Sequence, residues 1–184
     1  MTAKKSKSRL KPEGFQNEKF KQVVHYIVHK TSEFPNVGKT VLYKLLYFND
    51  FDFYELHEKK ITGEIYANIE HGPAPRHFNE VSEELIEEGK IKQFETPYYG
   101  HTQVRFRSMN QPDLSLLNAT ELAHIDQIIC KYGSMNAKQI EALSHVDTPW
   151  KATTNNENID YELVFYRDPI TSVRIYSDDS GRPA

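Results

Sequence analysis

Apolar side chains recur at helical spacing in the first third of the chain and predict two helices. In residues 15–31 they cover one face and polar side chains fill the opposite arc, which indicates an amphipathic helix. That face is formed by Phe20, Val23, Val24, Ile27 and Val28. After a break near Gly38, apolar and aromatic side chains in residues 39–58 occupy nearly the whole circumference. A helix that is apolar on all sides is buried, so we expect the second helix at the centre of the domain.

The patterns after residue 60 are shorter and are separated by glycine and proline. They predict a strand-like piece with a turn over residues 61–78, followed by a helix over 76–88 that ends at Gly89. Two strands are predicted near 91–94 and 104–107. Helices are predicted over 120–132 and 136–144, then a helical turn from 147 and an ordered segment over 159–167. We expect the two strands to pair as a hairpin, because Pro97 and Gly100 lie between them. The remaining expectations are inward positions for Phe78, Val81, Leu85 and Ile86, and a helix cap at Ser134 or Asn136.

These elements predict an α+β fold that is mostly α: a compact helical domain with a small antiparallel β-hairpin. The sequence shows neither an internal repeat nor an interdomain linker, so one domain over residues 15–170 is the simplest organisation. A disordered basic tail over residues 1–14 and a flexible tail over residues 171–184 are expected to flank it.

Charge and cysteine content narrow the range of partners and compartments. Of the 23 Lys and Arg residues five lie in residues 1–11, so the remaining 18 stand against 26 Asp and Glu. A body with this negative balance repels phosphate backbones, which argues against nucleic acid as a partner. Cys130 cannot form an internal disulfide and is expected on the apolar face of a helix. Without a signal-peptide or membrane-spanning pattern, the expected protein is soluble and cytoplasmic, with no membrane partner.

One stripe of the second helix combines phenols with a carboxylate. At 100° per residue, one face of that helix receives Tyr43, Tyr47, Asp50, Tyr54 and His57. Two interpretations are open. The stripe is either a buried polar seam in which Asp50 accepts hydrogen bonds and fixes helix packing, or a contact surface in which tyrosine supplies area and a hydroxyl.

The other clusters of polar side chains do not predict catalysis, a cofactor or a metal site. His25 and His29 have a spacing that can hold a metal, but both are expected to face solvent opposite the apolar stripe. The acidic run in residues 80–88 is expected to be a charged outer face. Ser144 and His145 are neighbours on a helix and point about 100° apart, so they cannot easily share the hydrogen bond that a nucleophile needs.

The two helices that meet at residues 133–136 resemble a helix-turn-helix, with the 91–107 hairpin as a wing. This pattern keeps a winged-helix DNA-binding regulator as an alternative. Residues 119–147, however, contain Lys131 and Lys138 against four acidic residues. Groove binding requires a richer supply of basic side chains, so we do not favour this alternative.

Several motifs, in order along the chain, resemble the Panacea domain, which is also called SocA-like or phage-associated GepA-like. The resemblance spans residues 20–166. The motifs are Lys44-Leu45-Leu46-Tyr47-Phe48 with Asp50, Ile61-Thr62-Gly63-Glu64-Ile65-Tyr66, His71-Gly72-Pro73-Ala74-Pro75, Leu143-Ser144-His145-Val146-Asp147 with Pro149-Trp150, and Tyr161-Glu162-Leu163. Within them, the residues expected to support the scaffold or bind a partner are Lys44, Tyr47, Asp50, Thr62, Gly63, Tyr66, Gly72, Pro73, Ser144, His145 and Trp150.

The resemblance implies an antitoxin of a toxin-antitoxin system, which neutralises the toxin encoded nearby by direct protein-protein binding. Panacea domains accompany toxins of unrelated classes, so the class of the toxin stays open. SocA is an adaptor that delivers its toxin to the ClpXP protease. The resemblance therefore also implies an alternative function, a proteolysis adaptor, with a ClpXP-type protease as a further partner. A hydrolase using His145 or Asp50 is a third alternative.

The candidate toxin contact is the tip of the predicted hairpin. Tyr98, Tyr99 and His101 cluster there at an exposed turn. Exposed aromatic side chains on loops are enriched at interfaces. The motif residues would then define the fold, whereas this tip would bind the partner. In this interpretation the protein acts by binding and performs no catalysis.

Overall fold

The computed structural model describes residues 14–175 of the 184-residue chain. The predicted basic tail lies outside the described residues except for its last position, and so does most of the predicted C-terminal tail, beyond residue 175. The helices are α1 (Asn17–Thr31), α2 (Lys39–His57), α3 (Phe78–Glu87), α4 (Ala119–Tyr132), α5 (Ala137–Val146) and α6 (Thr148–Lys151), and a 3-10 helix covers Tyr161–Tyr166. The strands are β1 (Tyr66–Ile69), β2 (Gly72–Pro75), β3 (Ile91–Tyr98) and β4 (His101–Ser108). The predicted α+β, mostly α, fold is confirmed.

Helix α2 lies at the centre of the fold, as its apolar circumference predicted. It contacts α1, α4, α5, β2, β4 and the 3-10 helix. Leu45, Leu46 and Phe51 are fully buried on it. The helix ends at Glu58, which adopts a left-handed conformation (φ 54°) and donates its backbone N–H to Tyr54 O. Because other elements cover α2 on all sides, every polar side chain along its middle must find its partner inside the protein.

Helix α1 carries the predicted apolar face but not the predicted solvent-facing histidines. Phe20, Val24 and Ile27 are fully buried. His25 is also buried, with its Nε2 3.0 Å from Ser108 Oγ. The expectation that it faces solvent was wrong, because the end of β4 packs on that side of α1. The periodicity of a single helix does not reveal a second covering element.

The structure contains two antiparallel hairpins within the described residues. β3 and β4 pair from Ile91↔Ser108 to Tyr98↔His101, which confirms the predicted hairpin and extends both strands. β1 and β2 form a shorter one, from Tyr66↔Pro75 to Ile69↔Gly72, where the sequence predicted only a strand-like piece and a turn. Residues 156–159 add backbone hydrogen bonds to β1.

Capping residues predicted the start of α5 and the end of α3, but the exposure of two side chains was predicted wrongly. Asn136, one of the two proposed caps, accepts the Gln139 N–H in a capping box. Gly89 has the left-handed conformation (φ 67°) expected after α3. Ile86 and Cys130, however, are exposed, although both were expected on apolar faces. Each lies at the edge of its helix's buried stripe, where the pattern alone does not fix orientation.

The C-terminal part of the described chain packs back onto α2. The Tyr161 ring in the 3-10 helix stacks on Phe51, with centroids 4.2 Å apart. The Tyr161 hydroxyl donates to Glu64 O at 2.8 Å. This segment is ordered, as predicted for residues 159–167. Over residues 14–175, the helices are all too short or too polar to cross a lipid bilayer.

Candidate functional site

Asp50 lies in a buried polar seam between α2 and β1. Its Oδ2 accepts hydrogen bonds from the Tyr66 hydroxyl at 2.8 Å and from Thr62 Oγ1 at 3.2 Å. Burial raises the pKa of Asp50 to about 7, even though these donors favour the charged form. The structure therefore supports the first interpretation of the stripe for this residue. Its partners come from β1 and the preceding turn, however, and not from the tyrosines of its own helix.

The other members of the stripe are divided between interior and surface. Tyr47 is fully buried and donates to Asp147 Oδ2 at 2.7 Å. Tyr54 donates to Glu162 on the 3-10 helix, and Tyr43 packs edge-on against Phe78 at 5.0 Å. These contacts hold neighbouring elements against α2. The stripe thus does not form one continuous contact surface.

Lys44 supports the turn between β1 and β2 from inside the protein. Its ammonium group is buried and donates to Pro73 O at 3.1 Å. Burial lowers its pKa to about 8. Gly72 has φ 88°, and a Cβ built on it would lie 2.5 Å from Ser144 Oγ and 2.7 Å from Lys44 Cε. Only glycine fits this close approach, so these motif residues form one packed unit.

The Thr62-Gly63 segment, which precedes β1, packs against the start of α1. Thr62 O accepts the Gln16 N–H at 2.8 Å, which ties the turn to the start of α1. Gly63 has φ 70°, and a Cβ there would lie 2.7 Å from Gly14 O. Glycine is required at this position by both conformation and space.

Ser144 and His145 do not form the hydrogen bond that a nucleophile and its base would need. Ser144 Oγ donates to Glu141 O at 2.8 Å, and the His145 ring stacks on Trp150 with centroids 4.2 Å apart. Asp147 is engaged elsewhere, by Tyr47 and by an arginine from the C-terminal segment. The carbonyl of Trp150 accepts a hydrogen bond from Asn68 Nδ2 at 2.8 Å, so this part of the chain is anchored to β1.

An ion cluster around Arg167 is the main buried feature that the sequence analysis missed. Its guanidinium has no exposed surface and contacts Asp147 Oδ2 at 2.8 Å, Asp52 Oδ1 at 2.7 Å and Glu55 Oε2 at 2.8 Å. Asp147 binds it in the bidentate geometry that suits a guanidinium. Asp52 and Glu55 are charged residues on a helix whose buried surface is largely apolar, a pattern that requires a buried partner. The sequence could have predicted this need, but not that the partner lies more than a hundred residues away.

Carboxylates outnumber the guanidinium in this cluster. Burial raises the pKa of Asp52 to about 6, although Arg167 favours its charged form. Burial alone would lower the pKa of Arg167, but Asp52 and Asp147 hold it above its ordinary value. The guanidinium therefore stays charged and is the group that makes burial of these acids tolerable.

Glu64 is a further buried acid that the sequence analysis did not single out as a polar centre. It is fully buried, and its Oε1 lies 2.9 Å from His77 Nδ1. Oε1 also accepts the Ile65 N–H at 2.6 Å. Burial raises the pKa of Glu64, while His77 lowers it. Glu64 thus fixes the chain on both sides of the first hairpin.

The tip of the second hairpin is the exposed feature that the sequence analysis singled out. Tyr99 is 90% exposed, and the Tyr98 and Tyr99 rings meet edge-on with centroids 4.8 Å apart. Tyr99 and Gly100 have φ values of 46° and 81°, which is the pattern of a type I′ turn. His101 is also exposed. The structure thus places all the candidate contact residues together at one protruding end.

Taken together, the motif residues in the first hairpin, α2 and α5 form an internal scaffold. Lys44, Gly72, Pro73 and Ser144 meet at one point, Asp50, Thr62 and Tyr66 at a second, and Tyr47 and Asp147 at a third. These polar groups bind one another inside the fold and do not line an exposed cleft.

This scaffold defines a small, mostly helical domain whose buried polar residues bind one another. Residues 42–151, more than half of the chain, match the family model described as antitoxin SocA-like, Panacea domain. The chain belongs to this family. The predicted resemblance is thereby confirmed, and the matched segment includes every motif residue from Lys44 to Trp150. Neither a curated protein nor a solved structure gives a significant match.

Proposed function

We propose that this protein is a cytoplasmic antitoxin that neutralises a toxin, encoded nearby, by direct binding and without catalysis. The observation that carries the proposal is the match of residues 42–151 to the antitoxin SocA-like, Panacea domain. Motif residues such as Asp50 and Lys44 are buried and bonded to other groups of the protein. This supports the proposal that the protein recognises its toxin through exposed residues outside the motifs.

The hairpin tip is the surface that we assign to the toxin. A type I′ turn favours Asn or Gly at its first central position, where this chain has Tyr99. An L-residue in this conformation costs about 1–2 kcal/mol. The side chain is also exposed and recovers nothing by burial within the described fold. A bulky aromatic side chain that is both strained and exposed is typical of a functional position.

Partner chemistry follows from the composition of this tip. Tyr98 and Tyr99 offer two large rings with hydroxyl groups, which suit a pocket that is apolar with a polar rim. Nearby, Phe94 lies under Arg105, with the guanidinium 5.4 Å from the ring centroid. This guanidinium donates to Ser32 O and Phe34 O, so the tyrosine rings are the groups that the tip offers to a partner. We expect the toxin to supply a concave surface that receives the tip.

The test is coexpression with the product of the adjacent gene, scored by growth and by copurification. The wild-type protein is expected to restore growth and to form a stable complex. Tyr99→Ala should retain the fold and weaken binding by about 2 kcal/mol or more, which is about thirtyfold, because central aromatic side chains dominate interfaces.

Tyr166→Ala is the matched control. Tyr166 is also a highly exposed tyrosine, at 74%, but it lies on the 3-10 helix. Its replacement is expected to leave binding unchanged. Equal affinity of the Tyr99→Ala variant and the wild-type protein would remove the tip from the interface. Absence of both rescue and a complex would remove the proposed function itself.

A further inference from the structure

A small cavity lies beside the buried ion cluster, between the last turns of α2 and the second half of α4. Its volume is about 190 Å³. Leu56, Ile128 and Val173 supply an apolar wall, and Asp52 and His124 supply polar groups. The described residues at the tip of the second hairpin do not line it. A ligand bound here is therefore separate from the proposed toxin contact.

One carboxylate oxygen of Asp52 is left unpaired at this cavity. Asp52 Oδ1 accepts from Arg167 at 2.7 Å, whereas Oδ2 has no hydrogen-bond partner among the described residues. The Asp52 side chain is only 2% exposed. Buried acceptors in folded proteins are almost always paired. Oδ2 therefore marks the point at which the cavity can hold a donor from outside the chain.

A phenol of the chain itself lies near Asp52 but does not pair with this oxygen. Burial, and after it the charge of Asp52, raise the pKa of the Tyr132 hydroxyl. That hydroxyl completes no hydrogen bond to Asp52 Oδ2. The Tyr132 ring is stacked on Phe48, with centroids 4.7 Å apart. Because this stacking fixes the ring, Oδ2 stays available to a ligand.

The polar groups around the cavity favour a neutral donor over an ion. His124 donates its Nε2–H to Asn49 O at 3.0 Å, and burial lowers its pKa to about 4, so the ring is neutral and its Nδ1 is a second acceptor. Gln127 and Lys131 line the cavity from exposed positions. An ammonium ligand would meet the charge of Lys131, and an anion would meet the carboxylate of Asp52. A neutral group that donates one hydrogen bond avoids both repulsions.

Other buried acids of this fold show which neutral donor suits them. The Tyr47 hydroxyl donates to Asp147 at 2.7 Å, and the Tyr66 hydroxyl donates to Asp50 at 2.8 Å. A phenol combines such a hydroxyl with a ring that packs well on aliphatic side chains. An apolar cavity of about 150 Å³ holds benzene, so a volume of about 190 Å³ admits a ring with one hydroxyl.

We propose that this cavity binds a phenol ring, whose hydroxyl donates to Asp52 Oδ2. The ring packs against the wall that Leu56, Ile128 and Val173 form. A free small phenol and the tyrosine side chain of another protein offer this same chemistry, and Leu56, at 41% exposure, leaves the cavity open to either from the surface. The proposal does not rest on the antitoxin role.

The probe is p-cresol, with binding measured by amide chemical shifts and by the rise of the unfolding temperature with ligand concentration. We expect a dissociation constant on the order of 1 mM, with shifts at Leu56, Ile128 and Val173. Toluene, which lacks the hydroxyl, should bind at least about tenfold more weakly, because Oδ2 then stays unpaired. A blocked Ala-Tyr-Ala peptide separates the two sources. If it binds as well as p-cresol, the source is a tyrosine side chain, and if p-cresol alone binds, the source is a free phenol.

Two variants test the wall and the acceptor separately. Leu56→Trp occupies the cavity from its exposed rim and should weaken p-cresol binding by at least about tenfold. Leu116→Trp is the matched control, because Leu116 has a similar exposure of 49% and does not line the cavity. Asp52→Asn keeps a carbonyl oxygen for Arg167 but replaces the second acceptor with an N–H group, so it should bind p-cresol no better than toluene. The amide spectrum checks that each variant is folded.

Several results would overturn the proposal. Equal affinity for p-cresol and toluene would remove the hydrogen bond to Asp52. Chemical shifts confined to other elements, or unchanged binding by both Leu56→Trp and Asp52→Asn, would remove the site. Tighter binding of benzylammonium than of p-cresol would show that the cavity selects a cation.

Discussion

At the scale of single residues, Asp50 shows how a buried acid makes the fold sensitive to pH. Its pKa is about 7 in the protein, against an ordinary value of 3.8. The folded state therefore holds a proton that the unfolded chain releases at a lower pH. A raised pKa of this kind contributes stability below about pH 4, and that contribution is lost as the pH rises through about 7.

We expect Asp50→Asn to flatten this pH dependence, since the amide keeps an acceptor for Tyr66 and cannot ionise. Relative to the wild type, the variant should gain stability between about pH 5 and about pH 8, by an amount on the order of a few kcal/mol. Urea unfolding at several pH values measures it. Glu87→Gln, at an exposed position, is the control. Parallel curves for Asp50→Asn and the wild type would show that Asp50 is charged throughout.

Arg167 is the residue on which the buried acids of α2 depend. We expect Arg167→Met to lower the free energy of unfolding by about 3–5 kcal/mol at neutral pH, because Asp52, Glu55 and Asp147 lose their cation. The loss should grow as the pH rises, since each unpaired acid resists ionisation inside the protein.

Urea unfolding again provides the measurement, with Arg107→Met as the control. Arg107 forms an exposed pair with Glu33 at 3.6 Å, and surface pairs contribute at most about 1 kcal/mol. Equal effects of the two substitutions would contradict a structural role for the cluster. Arg167→Lys should fall between the wild type and Arg167→Met, because it keeps the charge and loses the bidentate contact.

At the scale of elements, the first hairpin is held by close packing against α2 and α5. Gly72→Ala should be more destabilising than Gly89→Ala by about 1–3 kcal/mol. Both glycines have positive φ, 88° and 67°, and share the cost of a left-handed conformation. Only at Gly72 would the new methyl group meet buried atoms, those of Lys44 and Ser144.

Thermal unfolding of the two alanine variants measures this difference. Gly89 has open space around the position of a Cβ, so its variant reports the conformational cost alone. If Gly72→Ala proves no worse than Gly89→Ala, then Lys44 and Ser144 move apart without penalty, and the packed unit that they form with the turn is not rigid.

The helices were predictable from periodicity, but part of the strand content was not. The buried circumference of α2 and the capping residues of α3 and α5 are local properties, and local patterns describe them well. β1 and β2 are four residues each, and β2 consists of glycine, alanine and two prolines, so the pair lacks the alternation that identifies strands. Their pairing depends on residues 156–159 and on Lys44, which are distant in sequence.

At the scale of the whole molecule, the candidate site was predictable only in outline. The exposed tip at Tyr98 and Tyr99 followed from a turn between two strands, which is a local feature. The burial of Asp50 was one of two open interpretations, and its donors Thr62 and Tyr66 could not be identified from the helix alone.

The Arg167 cluster has a consequence for where the folding unit ends. The segment that matches the family stops at residue 151, yet Asp52, Glu55 and Asp147, all inside it, are neutralised by an arginine beyond it. A fragment trimmed to residues 42–151 would leave these buried acids without the guanidinium that they contact. The stretch up to residue 167 is therefore an integral part of the interior, and any dissection of this antitoxin into modules must keep it attached.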